Sequence, residues 1–166
     1  MSNNPSMEDA IVLNTSPLIV LFKAELDFVL SEVFKRIVVP EAVWQEISVY
    51  DDEAFKGLSE ATWLRREEVS IDNRIVVWNL GNGESQVLSW ALKKPDHIAV
   101  IDDLAARRCA ESLAIRCIGT AGLLVLASRQ KLIPSLASAV SQVRKAGLYL
   151  TDDLVDRLTL EDKKDL

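Results

Sequence analysis

With 166 residues, 49% of them apolar, 27% charged and 6% aromatic, the chain has the make-up of one compact domain, and a multidomain machine is excluded. A chain of this length buries roughly 68–70% of the surface its unfolded form exposes, so its core needs no disulfide or structural metal. Cys109 and Cys117 form no CxxC and His97 is the one histidine, which excludes the usual zinc clusters and sets Ser-His and Cys-His catalysts aside; a bound metal would have to be held by oxygen. The 25 acidic against 19 basic residues, net charge −6, argue against electrostatic coating of nucleic acid but leave a local site open. Met1 to Ala10 is polar and acidic without a leader pattern, and is expected to be a disordered extension over 1–9. The longest apolar stretch, around Leu123 to Ala127, falls far short of the ~18 residues of a membrane span, so a cytoplasmic protein is expected.

In chain order, the apolar run 10–14 reads as a buried strand that gives way at Ser16-Pro17, a Ser N-cap with Pro at N1, to a helix. Leu26 to Phe34 reads as a second helix and Arg36 to Val39 as a second strand, after which Pro40 starts another helix. Residues 50–62 are acidic and irregular, and 62–80 hold β-like runs at Thr62 to Leu64 and Ile75 to Trp78. Gly81-Asn82-Gly83 is a turn before a helix over Glu84 to Lys93. Then come a strand (Ile98 to Ile101), a helix (Leu104 to Leu113), a strand (Ile115 to Ile118), and helices over Ala121 to Gln130, Ser135 to Lys145 and Asp152 to Leu160. This alternation predicts a mainly parallel sheet covered on both faces, a three-layer α/β/α sandwich over 10–150, with a C-terminal helix and tail over 151–166.

Ligands of open α/β sheets sit beyond the carboxyl ends of the strands, and that rule selects residues. Asn14 closes the first strand, Asp102 and Asp103 close the 98–101 strand, Glu46 lies near the start of the helix after the second strand, and Glu84 opens the 84–93 helix. At roughly 100° per residue, Glu84 falls inside the stripe of Val87, Leu88, Ala91 and Leu92, although a first-turn acid is also favoured by the helix dipole. Glu46 sits at the border of the Val43/Ile47 face, where most acids are simply solvated. Of the Asp pair, Asp103 is expected to N-cap the next helix and Asp102 to face the site. Carboxylates ~4 Å apart repel by about 4 kcal/mol per pair at an effective dielectric of 20, so such a cluster implies a neutralising cation. Mg²⁺ or Mn²⁺ suits oxygen ligands and implies metal-assisted phosphodiester hydrolysis.

The blocks IVLNTSPLI (11–19), VVPEAVWQEI (38–47), NGESQVLSWAL (82–92), VIDDLAARRCAESLAI (100–115) and GTAGLL (119–124) together resemble a PIN domain, of the branch labelled DUF3368 that is compared with VapC toxins. The resemblance implies an α/β/α sandwich and a Mg²⁺- or Mn²⁺-dependent ribonuclease, with a homodimer and a small antitoxin as partners. It places the four acids of the family on Asn14, Glu46, Glu84 and Asp102, with Asp103 the adjacent candidate, and its supporting hydroxyl on Ser16. The departure is Asn14, an amide that offers a carbonyl oxygen but no charge and leaves three potential charges where the family has four.

Arg107 and Arg108 are candidate RNA-phosphate contacts, as are Lys93 and Lys94, for which a solvated helix face is the plainer reading. Gly119-Thr120 opens a helix and could hold an anion, or be a plain helix start. Trp44 and Trp90 are expected in core or interface, Cys109 in the core and His97 in a loop. The C-terminal helix reads as a solvated element or a partner contact. The expected activity is a metal-dependent endoribonuclease of a toxin-antitoxin pair. A non-catalytic RNA- or protein-binding module is the first rival; a receiver-like signalling domain, the second, is disfavoured by Asn14 and by the late position of Asp102-Asp103.

Overall fold

The computed structural model describes residues 10–50 and 52–164, so the extension expected at 1–9 lies outside the described residues. Five strands, β1 (Ala10–Leu13), β2 (Arg36–Pro40), β3 (Arg65–Glu67), β4 (His97–Val100) and β5 (Cys117–Ile118), form one sheet in the order β3-β2-β1-β4-β5. Every pairing is parallel: Ile11 lies opposite Ile37 and Ile98, Val38 opposite Arg65, and Ala99 opposite Cys117. All of β1 is fully buried, as expected of a central strand covered on both faces. The chain leaves β1 for β2 and β3 on one side and returns to β4 and β5 on the other. The carboxyl ends of β1 and β4 therefore flank the topological switch point, where open sheets bind ligands.

The covering helices are α1 (Thr15–Lys23), α2 (Phe28–Val33), α3 (Glu41–Tyr50), α4 (Asp52–Glu60), α5 (Asn73–Val76), α6 (Asn82–Lys93), α7 (Leu104–Ser112), α8 (Thr120–Arg129), α9 (Leu136–Lys145) and α10 (Asp152–Lys164). The expected three-layer sandwich is present, and five local expectations are corrected, the first being that the β-like run at Thr62 to Leu64 is a turn leading into β3, which begins at Arg65. The N-cap of α1 is Asn14, not Ser16. Pro17 then sits at the third helical position, which is tolerated because the first four N–H groups of a helix have no intrahelical partner anyway. The segment read as irregular at 50–62 contains α4, whose Ala54 and Leu58, four residues apart, are both fully buried.

The β-like run Ile75 to Trp78 begins inside helix α5, where Ile75 is buried while Val76 and Val77 face solvent. Asp72 caps α5 by accepting from the Arg74 N–H, and hydrogen bonding from Arg74 holds its carboxyl at about 2. His97 is the first residue of β4 and buried, with its Nδ1 3.0 Å from Asp96 Oδ1. Cys109 is in the core, and Trp44 and Trp90 pack half-buried against it. Helix α10 lies against α9 with Leu154, Val155 and Leu158 turned inward. Among the described residues no helix is long and apolar enough to cross a membrane.

Candidate metal site at the carboxyl edge of the sheet

Asn14 directly follows β1, and its backbone N–H donates to Val100 O at 3.1 Å, which ties it to the end of β4. Its side chain, 2% exposed, makes no capping bond to α1. Instead Nδ2 donates to Glu84 Oε1 at 3.1 Å, while Oδ1 is buried with no hydrogen-bond partner. A buried acceptor left unpaired costs about 1–3 kcal/mol, so this carbonyl calls for a ligand.

Glu46 reaches the same place from α3. Its Oε1 accepts the Gly83 N–H at 3.1 Å and its Oε2 accepts the Thr15 hydroxyl. Gly83, in the first turn of α6, leaves room for the carboxylate: a Cβ there would lie 2.8 and 2.9 Å from the Glu46 oxygens and 3.0 Å from Asn14 Oδ1. Three oxygens thus lie within about 3 Å of one point. Glu84 completes the group from α6, and its other oxygen, Oε2, would meet a Cβ on Gly81 at 2.5 Å. Val87, Leu88 and Ala91 of the same helix are buried, which is the stripe that brings Glu84 inward.

Asp102, at the end of β4, is turned toward α8. Its Oδ1 accepts the Thr120 N–H at 2.8 Å and its Oδ2 the Thr120 hydroxyl at 2.6 Å. That occupies the helix start considered for an anion at Gly119-Thr120: the anion there is Asp102 itself. Asp103 caps α7, its Oδ2 accepting the Ala106 N–H at 2.9 Å. Asp103→Ala is therefore expected to cost about 1 kcal/mol of stability in denaturant unfolding, with Mn²⁺ affinity unchanged by calorimetry.

The supporting hydroxyl that touches an acid is Thr15, whereas Ser16 is exposed; at the first turn of α1 it is Thr15 that comes beside Glu46. Arg107 and Arg108 are exposed on α7. The Arg107 Nη1 and Asp102 Oδ1 lie 3.0 and 2.9 Å from the position of a Cβ on Gly119, so the guanidinium stands beside that carboxylate. Both charges are felt at Cys117: burial pushes its thiol up, Arg107 pulls it down, and Asp102 raises it. Lys93 and Lys94 end α6, and a helix entered at the carboxyl rim ends at the opposite rim, so they do not join this site; Lys94 Nζ instead lies over the Trp90 ring at 5.0 Å.

Among the described residues no three Asp, Glu, His or Cys side chains gather as a metal-holding group. Glu46 and Glu84 flank the amide of Asn14, while Asp102, with both oxygens turned to Thr120, does not join them as a third acid. The donors nevertheless suit a hard divalent cation: all are oxygens, and the unpaired Asn14 carbonyl points into the space that Gly83 leaves before Glu46.

An all-parallel α/β/α sandwich with acidic side chains at its switch point is consistent with the nuclease-type fold of PIN domains. The family model for the PIN domain DUF3368 matches residues 10–162, and the chain belongs to that family. The match runs past residue 150 and takes in most of α10. Comparison with curated proteins gives no match.

Proposed function

We propose that the protein is a metal-dependent endoribonuclease, acting in the cytoplasm as the toxin of a bacterial toxin-antitoxin pair. The observation that carries this reading is the convergence of Glu46, Glu84 and the buried, unpaired Asn14 carbonyl at the end of β1, with Asp102 on the neighbouring strand end. Glu46, Glu84, Asp102 and Asn14 Oδ1 would hold Mg²⁺ or Mn²⁺. When bound, the ion supplies polarisation of the phosphodiester and an activated water nucleophile.

The chain's own groups do the positioning. Thr15 and the Gly83 N–H fix the Glu46 carboxylate, Asn14 Nδ2 fixes Glu84, and Thr120 fixes Asp102. Arg107, beside Asp102, offers a guanidinium to an RNA phosphate, with Arg108 next to it on the exposed side of α7. A homodimer and a small protein antitoxin belong to the same reading, and free Cys109 and Cys117 are in keeping with a reducing cytoplasm.

The test is cleavage of RNA with and without Mn²⁺. Loss of an outer partner of a metal site costs 10- to 100-fold, so Glu84→Gln and Asp102→Asn are each expected to lower kcat/KM by roughly 100-fold or more. Unchanged cleavage in both variants would remove the assignment. The neutral amide at Asn14 favours one second reading, a PIN-domain module that binds RNA or protein without chemistry. Calorimetry separates the two, because such a module gives no saturable heat with millimolar Mn²⁺.

A further inference from the structure

We propose that Gln86 is a positioning residue that sets the spacing of Glu46 and Glu84 through a reciprocal clasp between α3 and α6; this rests on reading those two acids as metal-holding groups. The first amides of any helix lack an intrahelical acceptor, and they are commonly satisfied by the side chain of the residue just before the helix. Neither helix has that option. Pro40 precedes α3 and Gly81 precedes α6, and neither has a polar side chain.

Each helix instead satisfies the other. The Ala42 N–H in the first turn of α3 donates to Gln86 Oε1 of α6 at 2.9 Å. The Gly83 N–H in the first turn of α6 donates to Glu46 Oε1 of α3 at 3.1 Å. Two bonds running in opposite senses between the same pair of helices fix their relative slide as well as their separation. One bond uses Glu46 itself. The other uses a neutral amide two residues beyond Glu84, so it can be removed without touching an acid of the site. A neutral acceptor also leaves the charge of the site to its three acids.

The experiment is amide hydrogen exchange on the metal-free full chain and Mn²⁺ calorimetry, for wild type, Gln86→Met and Gln86→Glu. Methionine keeps the length of the side chain and loses the acceptor. Losing one hydrogen bond of ordinary strength, Gln86→Met is expected to speed exchange about fivefold at Gly83 as well as at Ala42, and to weaken Mn²⁺ binding about fivefold. Gln86→Glu, which keeps an acceptor oxygen at that place as a carboxylate, is expected to restore slow exchange at both amides. Acceleration confined to Ala42, with Gly83 and the Mn²⁺ affinity unmoved, would mean that Gln86 only caps α3, and overturns the proposal. Absence of saturable Mn²⁺ binding by the wild type would overturn the metal reading instead, and the Gly83 exchange rate then decides the clasp by itself.

Discussion

Gly83→Ala is expected to abolish most of the Mn²⁺ affinity and RNA cleavage while leaving the fold intact. The added methyl group would lie 2.8 and 2.9 Å from the two Glu46 oxygens and 3.0 Å from Asn14 Oδ1, distances at which something has to move. The backbone of Gly83 is fixed by its place in α6, and Asn14 is held by β4 through its own N–H, so the Glu46 carboxylate is the group that gives way. In doing so it leaves the Gly83 N–H and the Thr15 hydroxyl, the two donors that orient it. Alanine is at the same time a better helix former than glycine by roughly 0.5–1 kcal/mol, which offsets part of the disturbance. The expected result is circular dichroism unchanged, a thermal midpoint within a few degrees of wild type, and Mn²⁺ binding weakened by roughly tenfold or more in calorimetry. Wild-type affinity in this variant would place the metal away from the Glu46–Asn14 space.

The central strands were legible because a strand covered on both faces needs an unbroken apolar run, and Ala10 to Leu13, Ile37 to Val39 and Ile98 to Ile101 supply one each. Helix α4 was hidden because Asp52 and Glu53 lead into a segment that buries just a few side chains, Ala54 and Leu58 foremost, too sparse a pattern to stand out. Ile75 to Trp78 misled in the opposite way: β-branched residues read as a strand, yet capping by Asp72 and the burial of Ile75 alone set a helical turn. In the site, Asn14 and Glu84 could be selected from their places at a strand end and a helix start, and Glu46 from its place on the helix that follows the second strand. Thr15, Gly83 and Gln86 were missed because their roles depend on which helices lie side by side. Gly83 looked like a turn glycine, and only the approach of α3 shows that its missing side chain is what admits Glu46. The signal that could have flagged Gln86 is negative: two helices preceded by Pro40 and Gly81 have no local side-chain cap, so their amides must find acceptors elsewhere.

Asn14→Asp is expected to move metal affinity and metal-free stability in opposite directions. In the protein as it stands, the amide at position 14 donates to Glu84 and turns a neutral oxygen toward Glu46. A carboxylate there removes the donor and adds a new charge beside Glu46 and Glu84 at a position that is 2% exposed. At ~4 Å and an effective dielectric of 20 each new repulsion is worth about 4 kcal/mol before relaxation, so even after screening the metal-free form should lose a few kcal/mol. For a domain of this size that is a fall of roughly 5–10 °C in the thermal midpoint. The same charge attracts the ion, and a gain of a few kcal/mol after screening tightens Mn²⁺ binding by roughly tenfold to a thousandfold. Because a ligand stabilises the form it binds by an amount that grows with the logarithm of its concentration over Kd, the variant should melt below wild type without metal and recover, or pass it, in millimolar Mn²⁺. Paired melting curves and calorimetry read both effects without any assay of cleavage. A variant that is destabilised equally with and without Mn²⁺ would show that Asn14 is a buried structural amide and not a neutral member of the metal site.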